Sequence, residues 1–370
     1  MKQYNKLLNE SRICLYSQYE VNKGYRMDPF SQGALGAAFS QSFANKKKIP
    51  IACLAGILGG TAPDLDILIG SATDPLLGQE FHRHFTHSIW FIPIGGFLVG
   101  IAMWLLFNRI FRIKEWDPKT LITFATLGYA THAVLDACTS YGTRLFWPLS
   151  NARVAWDTIS IIDPLVTIPL IVFVIFSVKQ RSAKFARIGM GVFLFYMSLG
   201  FIQNARVTNS IEELAATRGH TVERIKLNAK IGNMIVWRTV YEYDGNYYVN
   251  GVVATPFRKP GIIEGGSALA INPETIYPEI GTDSVARNDI RRFDYFAQGY
   301  LIEFKDALAD IRYSSQPHSI EPFWGITVDT ENPDNHVGYG IERPGGRALN
   351  VTWEMMWGDY DPNEETIPAP

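Results

Sequence analysis

Asp64 and Asp66 stand in the run Thr61-Ala62-Pro63-Asp64-Leu65-Asp66, and His82, Arg83, His84 and His87 crowd into His82-Arg83-His84-Phe85-Thr86-His87-Ser88. His132 and Asp136 are four residues apart inside an apolar stretch, so on a helix they share one face. Asp163 precedes Pro164 at the head of another such stretch. Carboxylate oxygens and imidazole nitrogens together suit Zn²⁺, Mn²⁺ or Fe²⁺, and a carboxylate can bridge two ions. A metal of this kind lowers the pKa of bound water and provides hydroxide for hydrolysis. Plainer roles fit some of these residues equally well. Asp163 before proline is a good helix cap, His84 reads as a surface residue as readily as a ligand, and His132 with Asp136 could be a hydrogen-bonded structural pair. A proton or ion path is a third use of intramembrane charge, but it favours groups spread through the membrane depth.

The elements that must position these groups are apolar. Phe85–Phe107 has no Lys, Arg, Asp or Glu and is about long enough to cross a bilayer. Thr120–Cys138, Ile159–Val178 and Ile188–Ile202 follow it, and Ile51–Gly70 precedes it, interrupted by Asp64 and Asp66. A Gly/Ala/Ser-rich segment, Phe30–Ala44, reads as a short span or a re-entrant helix. Several such runs in one half of a chain mark an integral membrane protein.

Orientation follows from basic residues in short loops. Lys46–Lys48, the loop with Arg109, Arg112, Lys114 and Lys119, and the loop with Lys179, Arg181, Lys184 and Arg187 carry 11 charges on one side. The opposite loops carry only Arg83, Arg144 and Arg153, so the basic side is expected to be cytoplasmic and the chain after Gln203 to emerge on the outer face. All the carboxylates and histidines named above then fall within two or three helical turns of that outer interface. The expectation conflicts with residues 1–28, whose Lys2, Lys6, Arg12, Lys23 and Arg26 would lie outside if Phe30–Ala44 crosses.

Whole-chain averages conceal this division. Over 370 residues the mean hydropathy is +0.01 and the net charge −2, which excludes a disulfide-stapled or largely disordered chain and gives no basic excess for nucleic acid. Residues 1–203 hold 19 Lys/Arg against 12 Asp/Glu, whereas 204–370 hold 15 against 24. No Cys-x-x-Cys spacing exists; Cys53 and Cys138 lie in apolar runs and read as free buried thiols. The first 26 residues are polar, with no apolar core of a signal peptide.

The distal half reads as strands. Met234–Tyr243 and Tyr247–Ala254 flank the hairpin signal Asp244-Gly245-Asn246, and Gly299–Phe304, Trp324–Val328 and Ala348–Trp357 are further strand-like runs. Gly265-Gly266 and Gly345-Gly346 read as turns, and Asp359–Pro370 as a frayed acidic end.

Several blocks carry a resemblance. Met27-Asp28-Pro29-Phe30-Ser31-Gln32, Pro63-Asp64-Leu65-Asp66, His82-Arg83 through Phe85-Thr86-His87-Ser88, Thr131-His132-Ala133-Val134-Leu135-Asp136 continuing to Trp147-Pro148, and Ile161-Ile162-Asp163-Pro164-Leu165 occur in that order. Over Met27–Pro169 the chain resembles the YdjM-like family of inner-membrane proteins, to which metal-dependent hydrolase activity is ascribed from motif chemistry. The resemblance implies Asp64, Asp66, His82, His87, His132 and Asp136 as the metal-site set. Two positions depart from it: Gln32 stands where some relatives carry His, and His84 where the pattern has Gly. Such chains often begin at the Met-Asp-Pro corresponding to Met27, and a start there would remove the five basic residues that conflict with the topology.

The expected architecture is a membrane all-α helical bundle of about five or six segments followed by a soluble mainly-β or α+β domain. Residues 1–26 form an extension, 27–203 the membrane domain and 204–370 an extracytoplasmic domain. The expected function is a metal-dependent hydrolase, with zinc or manganese as the first choice, at the outer face of a bacterial inner membrane. Asp64 is the candidate general base, and Arg83 and Arg144 are candidates to hold an anionic, lipid-linked or envelope phosphoester. The competing class is a non-enzymatic membrane protein, an ion-coupled transporter or an envelope scaffold.

Overall fold

A computed structural model describes residues 28–112, 116–341 and 348–358. The extension 1–26, the start at Met27, Lys114, the Gly345-Gly346 turn and the tail Asp359–Pro370 lie outside the described residues. The chain divides into two compact units, one ending at Leu199 and the other beginning at Gly200.

The first unit is helical: α1 Pro29–Ser42, α2 Ile49–Thr61, α3 Leu77–Phe81, α4 Ile92–Leu105, α5 Pro118–Ala137, α6 Pro164–Gln180 and the start of α7, Ala183–Thr217. An Asp-Pro pair opens three of them. Asp28, Asp117 and Asp163 are the N-caps of α1, α5 and α6, and each side chain accepts a backbone N–H two or three residues on (Phe30, Thr120, Leu165). The proline that follows has no N–H to leave unpaired and is already turned for a helix. The capping reading of Asp163 is therefore the one the fold uses.

Ile49–Leu68, Ile89–Ile110 and Ala183–Thr217 are long and apolar enough to cross a membrane. They contain most of the expected runs Ile51–Gly70, Phe85–Phe107 and Ile188–Ile202. The expected run Ile159–Val178 is shorter as a helix, because its first residues form a loop and α6 starts only at Pro164. Phe30–Ala44 forms the 14-residue α1. Thr120–Cys138 becomes the 20-residue α5, whose Lys119, His132 and Asp136 interrupt its apolar surface.

Helices α1, α2 and α5 meet at backbone distance. A Cβ on Gly36 would lie 2.3 Å from the Gly56 carbonyl oxygen, and one on Gly128 would lie 2.4 Å from the same atom. Small residues at such crossings let helices pack where no hydrophobic force separates protein from lipid. The crossing sets Gln32 of α1, Gly60 of α2 and His132 of α5 side by side. After α5 the chain loops back, where Thr143 bridges Val154 and the Arg144 N–H donates to the Arg83 carbonyl at 3.1 Å.

The second unit holds two antiparallel four-stranded sheets. The first runs in the order β1 Arg224–Ala229, β2 Val236–Tyr243, β3 Asn246–Val253, β4 Gly261–Leu269. The second follows helix α8, Val285–Ala297, and contains β5 Leu301–Phe304, β6 Ala307–Asp310, β7 Gly325–Thr327 and β8 Gly338–Tyr339. Val240, Tyr247 and Val249 of one sheet share a core with Tyr300, Ile302, Ala309 and Ile311. The β2–β3 hairpin closes as expected: Tyr243 pairs with Asn246, and Asp244 and Gly245 both have positive φ, the backbone a two-residue turn needs.

One strand expectation is overturned. Ala348–Trp357 is helix α9. Its Val351 and Met355, four apart, pack together on Val236, so its apolar residues follow the helical period and not the alternation of a strand. Strands β1, β4, β6 and β8 and helix α8 were not anticipated. The Trp237-Arg238 pair is deeply buried; Arg238 donates to the carbonyls of Ile311, Arg312, Gln316, Pro317 and Ser319 and pins that loop to β2. Cys53 and Cys138 are free, the latter buried.

Candidate metal centre

Past Thr61 the α2 helix tightens into a 3-10 segment, Ala62–Leu68, which carries Asp64 and Asp66. A second short 3-10 turn, Phe85–His87, delivers His87, and α5 contributes His132 and Asp136 from one face. Asp64, His87, His132 and Asp136 each present one ligand atom, all within 4.8 Å of one another. His132 Nε2 lies 2.9 Å from His87 Nε2, 3.3 Å from Asp64 Oδ1 and 3.8 Å from Asp136 Oδ2. His87 Nε2 lies 3.5 Å from Asp64 Oδ1 and 3.3 Å from Asp136 Oδ2. A tetrahedron of donors about 2.0–2.2 Å from a central ion has edges of about 3.3–3.6 Å. The Asp64–His132, Asp64–His87 and His87–Asp136 separations fall in that range, while the two histidines stand closer and His132–Asp136 wider.

The hydrogen bonds behind these donors fix which atoms face the centre. His132 Nδ1 is 2.6 Å from the Gly60 carbonyl oxygen, which only accepts, so Nδ1 carries the proton and Nε2 presents a lone pair. His87 Nδ1 lies 3.2 Å from Asp66 Oδ2 and 3.0 Å from Thr86 Oγ1, which leaves Nε2 facing inward in the same way. Imidazoles held from behind by carboxylate or carbonyl are the usual outer shell of a metal site. Asp136 is held by Gln32 Nε2, which donates to Oδ1 at 2.8 Å, and by Arg83 Nε, 2.9 Å from Oδ2. Asp64 Oδ1 is buried without a hydrogen bond, whereas the buried Asp136 Oδ2 is ion-paired with Arg83. A buried carboxylate oxygen without a hydrogen bond is costly, and two carboxylates facing two imidazole lone pairs, with one guanidinium beside Asp136, are relieved by a further cation.

Charge agrees with that. Asp64, Asp66 and Asp136 bring three negative charges, Arg83 returns one, and neutral histidines leave a balance that a divalent ion cancels. Only the Asp64 side chain reaches solvent, at 18 % exposure, while those of His87, His132 and Asp136 are at 0 %. The residues present fit such an ion, with one side of the site open.

Of the six ligands implied by the resemblance, Asp66 and His82 occupy a neighbouring position. Asp66 accepts from the Arg83 N–H at 3.0 Å and the Thr86 hydroxyl at 2.9 Å on Oδ2, while Oδ1 lies 3.0 Å from His82 Nδ1. Asp64, Asp66 and His82 form a second possible ligand group that shares Asp64 with the first. His82 Nε2 is buried and has no hydrogen-bond partner.

Arg83 has a left-handed backbone, φ 61°, a conformation that costs a non-glycine residue of order 1–3 kcal/mol. Its N–H holds Asp66, its carbonyl holds the Arg144 N–H, and its guanidinium reaches Asp136 and Thr139. Arg83 and Arg153 both approach the Tyr141 ring, at 4.9 and 4.8 Å from its centroid. His84, expected to lie outside the ligand set, packs against Trp147 and Phe81. Burial, followed by the charges of Arg144 and Arg153, pushes its pKa down to about 4. Asp163 is not part of the centre; it accepts from Leu165 N–H and the Tyr196 hydroxyl.

Sequence reasoning did not single out Thr86, Tyr141 or Arg153 for roles here. Thr86 and Tyr141 lay inside the diagnostic blocks, and nothing in Arg153 itself pointed to the centre. Gln32, one of the two departures from the resemblance, is the residue that holds Asp136.

Residues 27–207 match the model of a family described as YdjM inner membrane protein. Across that stretch the chain is similar to the YdjM family. No curated protein and no solved structure matches it. The YdjM match covers every residue of the centre and ends inside α7, so the sheets of the second unit lie beyond it.

Proposed function

We propose that this YdjM-like chain is a membrane-bound metal-dependent hydrolase of the bacterial inner membrane. It holds zinc or manganese on Asp64, His87, His132 and Asp136 and cleaves an anionic lipid-linked or envelope phosphoester. The convergence of two buried carboxylates, Asp64 and Asp136, with two imidazole nitrogens carries this reading. Asp66 and His82 either orient this ion or take a second one beside it.

When bound, the ion supplies hydroxide at neutral pH and positive charge for a phosphoryl oxygen. Asp64 stands at the open side and accepts the proton given up by the attacking water. Arg83 keeps Asp136 aligned. Arg144 and Arg153, on the loop that folds back beside Arg83, hold the remaining phosphoryl oxygens by charge-assisted hydrogen bonds. The bias of basic loops supports an outer position for this face, and the reading takes five or six crossings with the sheet unit on the same outer side.

Metal analysis of chelator-free purified protein, combined with a hydrolysis screen on membrane phospholipids and lipid-linked phosphates, tests the reading. One or two transition-metal ions per chain, lost in Asp64→Ala and His132→Ala without loss of the folded bundle, are expected. A stable, metal-free wild-type protein sinks it.

A further inference from the structure

The end of the second unit that meets the emerging span has a distinct composition. Helix α7 is apolar through Ile202, with Phe201 and Ile202 exposed, and then turns polar at Gln203. Gln203 Nε2 donates to the carbonyls of Met234 at 3.1 Å and Ala254 at 2.6 Å. One turn on, Arg206 donates to the carbonyls of Thr255 and Arg258. Two loops of the first sheet, Lys230–Ile235 and Ala254–Lys259, are thereby fastened to the helix within about 6 Å, four residues at 1.5 Å each, of Ile202, its last exposed large apolar residue.

Each of these loops holds a large apolar side chain outward. Ile231 is 50 % exposed, and Phe257 is 104 % exposed on a backbone with φ 62°. Arg258 and Lys259 follow Phe257 and are exposed. The far end of the same sheet is polar: the β2–β3 turn is Asp244-Gly245, about 26 Å away along eight residues of β2. The layer between hydrocarbon and water is about 5–8 Å thick on each side of a bilayer. Loops tied to a spanning helix at that height lie in it, where an aromatic ring enters the acyl boundary and basic side chains meet anionic headgroups.

We infer that Phe257 and Ile231, with Arg258 and Lys259, form a seat by which the second unit rests in the headgroup layer of an anionic bilayer. The seat rests on α7 crossing the membrane, and not on the metal centre or its chemistry.

The test uses the full chain in nanodiscs of zwitterionic and anionic phospholipid, with Cys14→Ser, Cys53→Ala and Cys138→Ala as background. Nitroxide labels are placed singly at Phe257→Cys, Ile231→Cys, Phe195→Cys within the apolar part of α7, and Asp244→Cys at the distant turn. Accessibility to oxygen relative to a water-soluble nickel complex reports depth. The ratio at positions 257 and 231 is expected to exceed that at 244 at least threefold and to fall below that at 195. Equal ratios at 257, 231 and 244, with a high value at 195, overturn the seat and leave the span intact. A water-like value at 195 removes the span and the seat with it.

Discussion

His87 and His132 face each other Nε2 to Nε2 at 2.9 Å, each with its Nδ1 proton engaged from behind. Two lone pairs at that separation repel unless a proton or a cation sits between them. An ion bound only by the folded chain adds its binding energy to stability, about 4 kcal/mol when free metal is a thousand times its Kd. Chelation is therefore expected to lower the melting temperature of the membrane unit by several degrees, and readdition of Zn²⁺ or Mn²⁺ to restore it. A Tm indifferent to chelator and metal contradicts the four-residue centre.

Asp66 gives a finer distinction. Both of its oxygens are occupied by neighbours, and one of them orients His87. Asp66→Asn is expected to weaken metal affinity about 10–100-fold, the range for an orienting carboxylate, while retaining one ion per chain at saturating metal. Asp136→Asn should lose the ion outright. Competition titration with a fluorescent chelator separates the two; equal, complete loss would make Asp66 a ligand.

Arg153 predicts a split in kinetic constants. Its contact with Tyr141 puts it beside Arg83 but not on the ligand atoms. Arg153→Ala should raise KM for an anionic substrate about 10-fold or more and leave metal content unchanged. Unaltered KM would remove it from substrate binding.

Packing at the α1–α2–α5 crossing gives a stability test independent of metal. Gly56→Ala puts a methyl about 2.4 Å from the Gly36 carbonyl oxygen, where only helix separation relieves the overlap. Overpacking of this kind costs about 1–3 kcal/mol. Reduced Tm together with weakened metal binding is expected, because the same crossing aligns Gly60 with His132. Gly191→Ala, with open space around it, should change neither.

Asp294, in the second unit, predicts a pH response. Burial, reinforced by Asp310 and Glu274 against the opposing pull of Arg224, raises its pKa to about 6. Between about pH 4 and 6 the folded chain keeps a proton that the unfolded chain has lost. Stability from this group is thus full below pH 4 and lost as pH rises through 6. The effect is about 2 kcal/mol once screening of a partly exposed group is allowed for. Unfolding of the second unit followed by tryptophan fluorescence across pH 4–7 should show this slope in wild type and a flatter one in Asp294→Asn.

The centre was legible in sequence because its chemistry is local. His132 and Asp136 share a face through their spacing, and Pro63 and the Asp-Pro pairs mark where helices tighten or begin. Gln32 was visible as a departure, but its hold on Asp136 comes from a residue 104 positions away. The left-handed backbone of Arg83 was hidden for the same reason, since nothing in an arginine announces a conformation imposed by Asp66 and Arg144. In the second unit the Asp244-Gly245 turn was readable. Strand β4, with Gly265-Gly266 in its middle, was not, because close approach of the His318 carbonyl dictates glycine there. The α9 segment misled because Trp, Val and Thr favour strands when short and unpartnered.

The Asp117-Pro118 cap has a further consequence. It fixes where α5 begins before any neighbour is in place, so it acts as the zero mark of a ruler. His132 is read off 14 residues later, about 21 Å along the axis. Losing or gaining one residue between cap and histidine would swing the imidazole about 100° around the helix and carry Asp136 with it. Exchanging side chains along that stretch leaves the count intact.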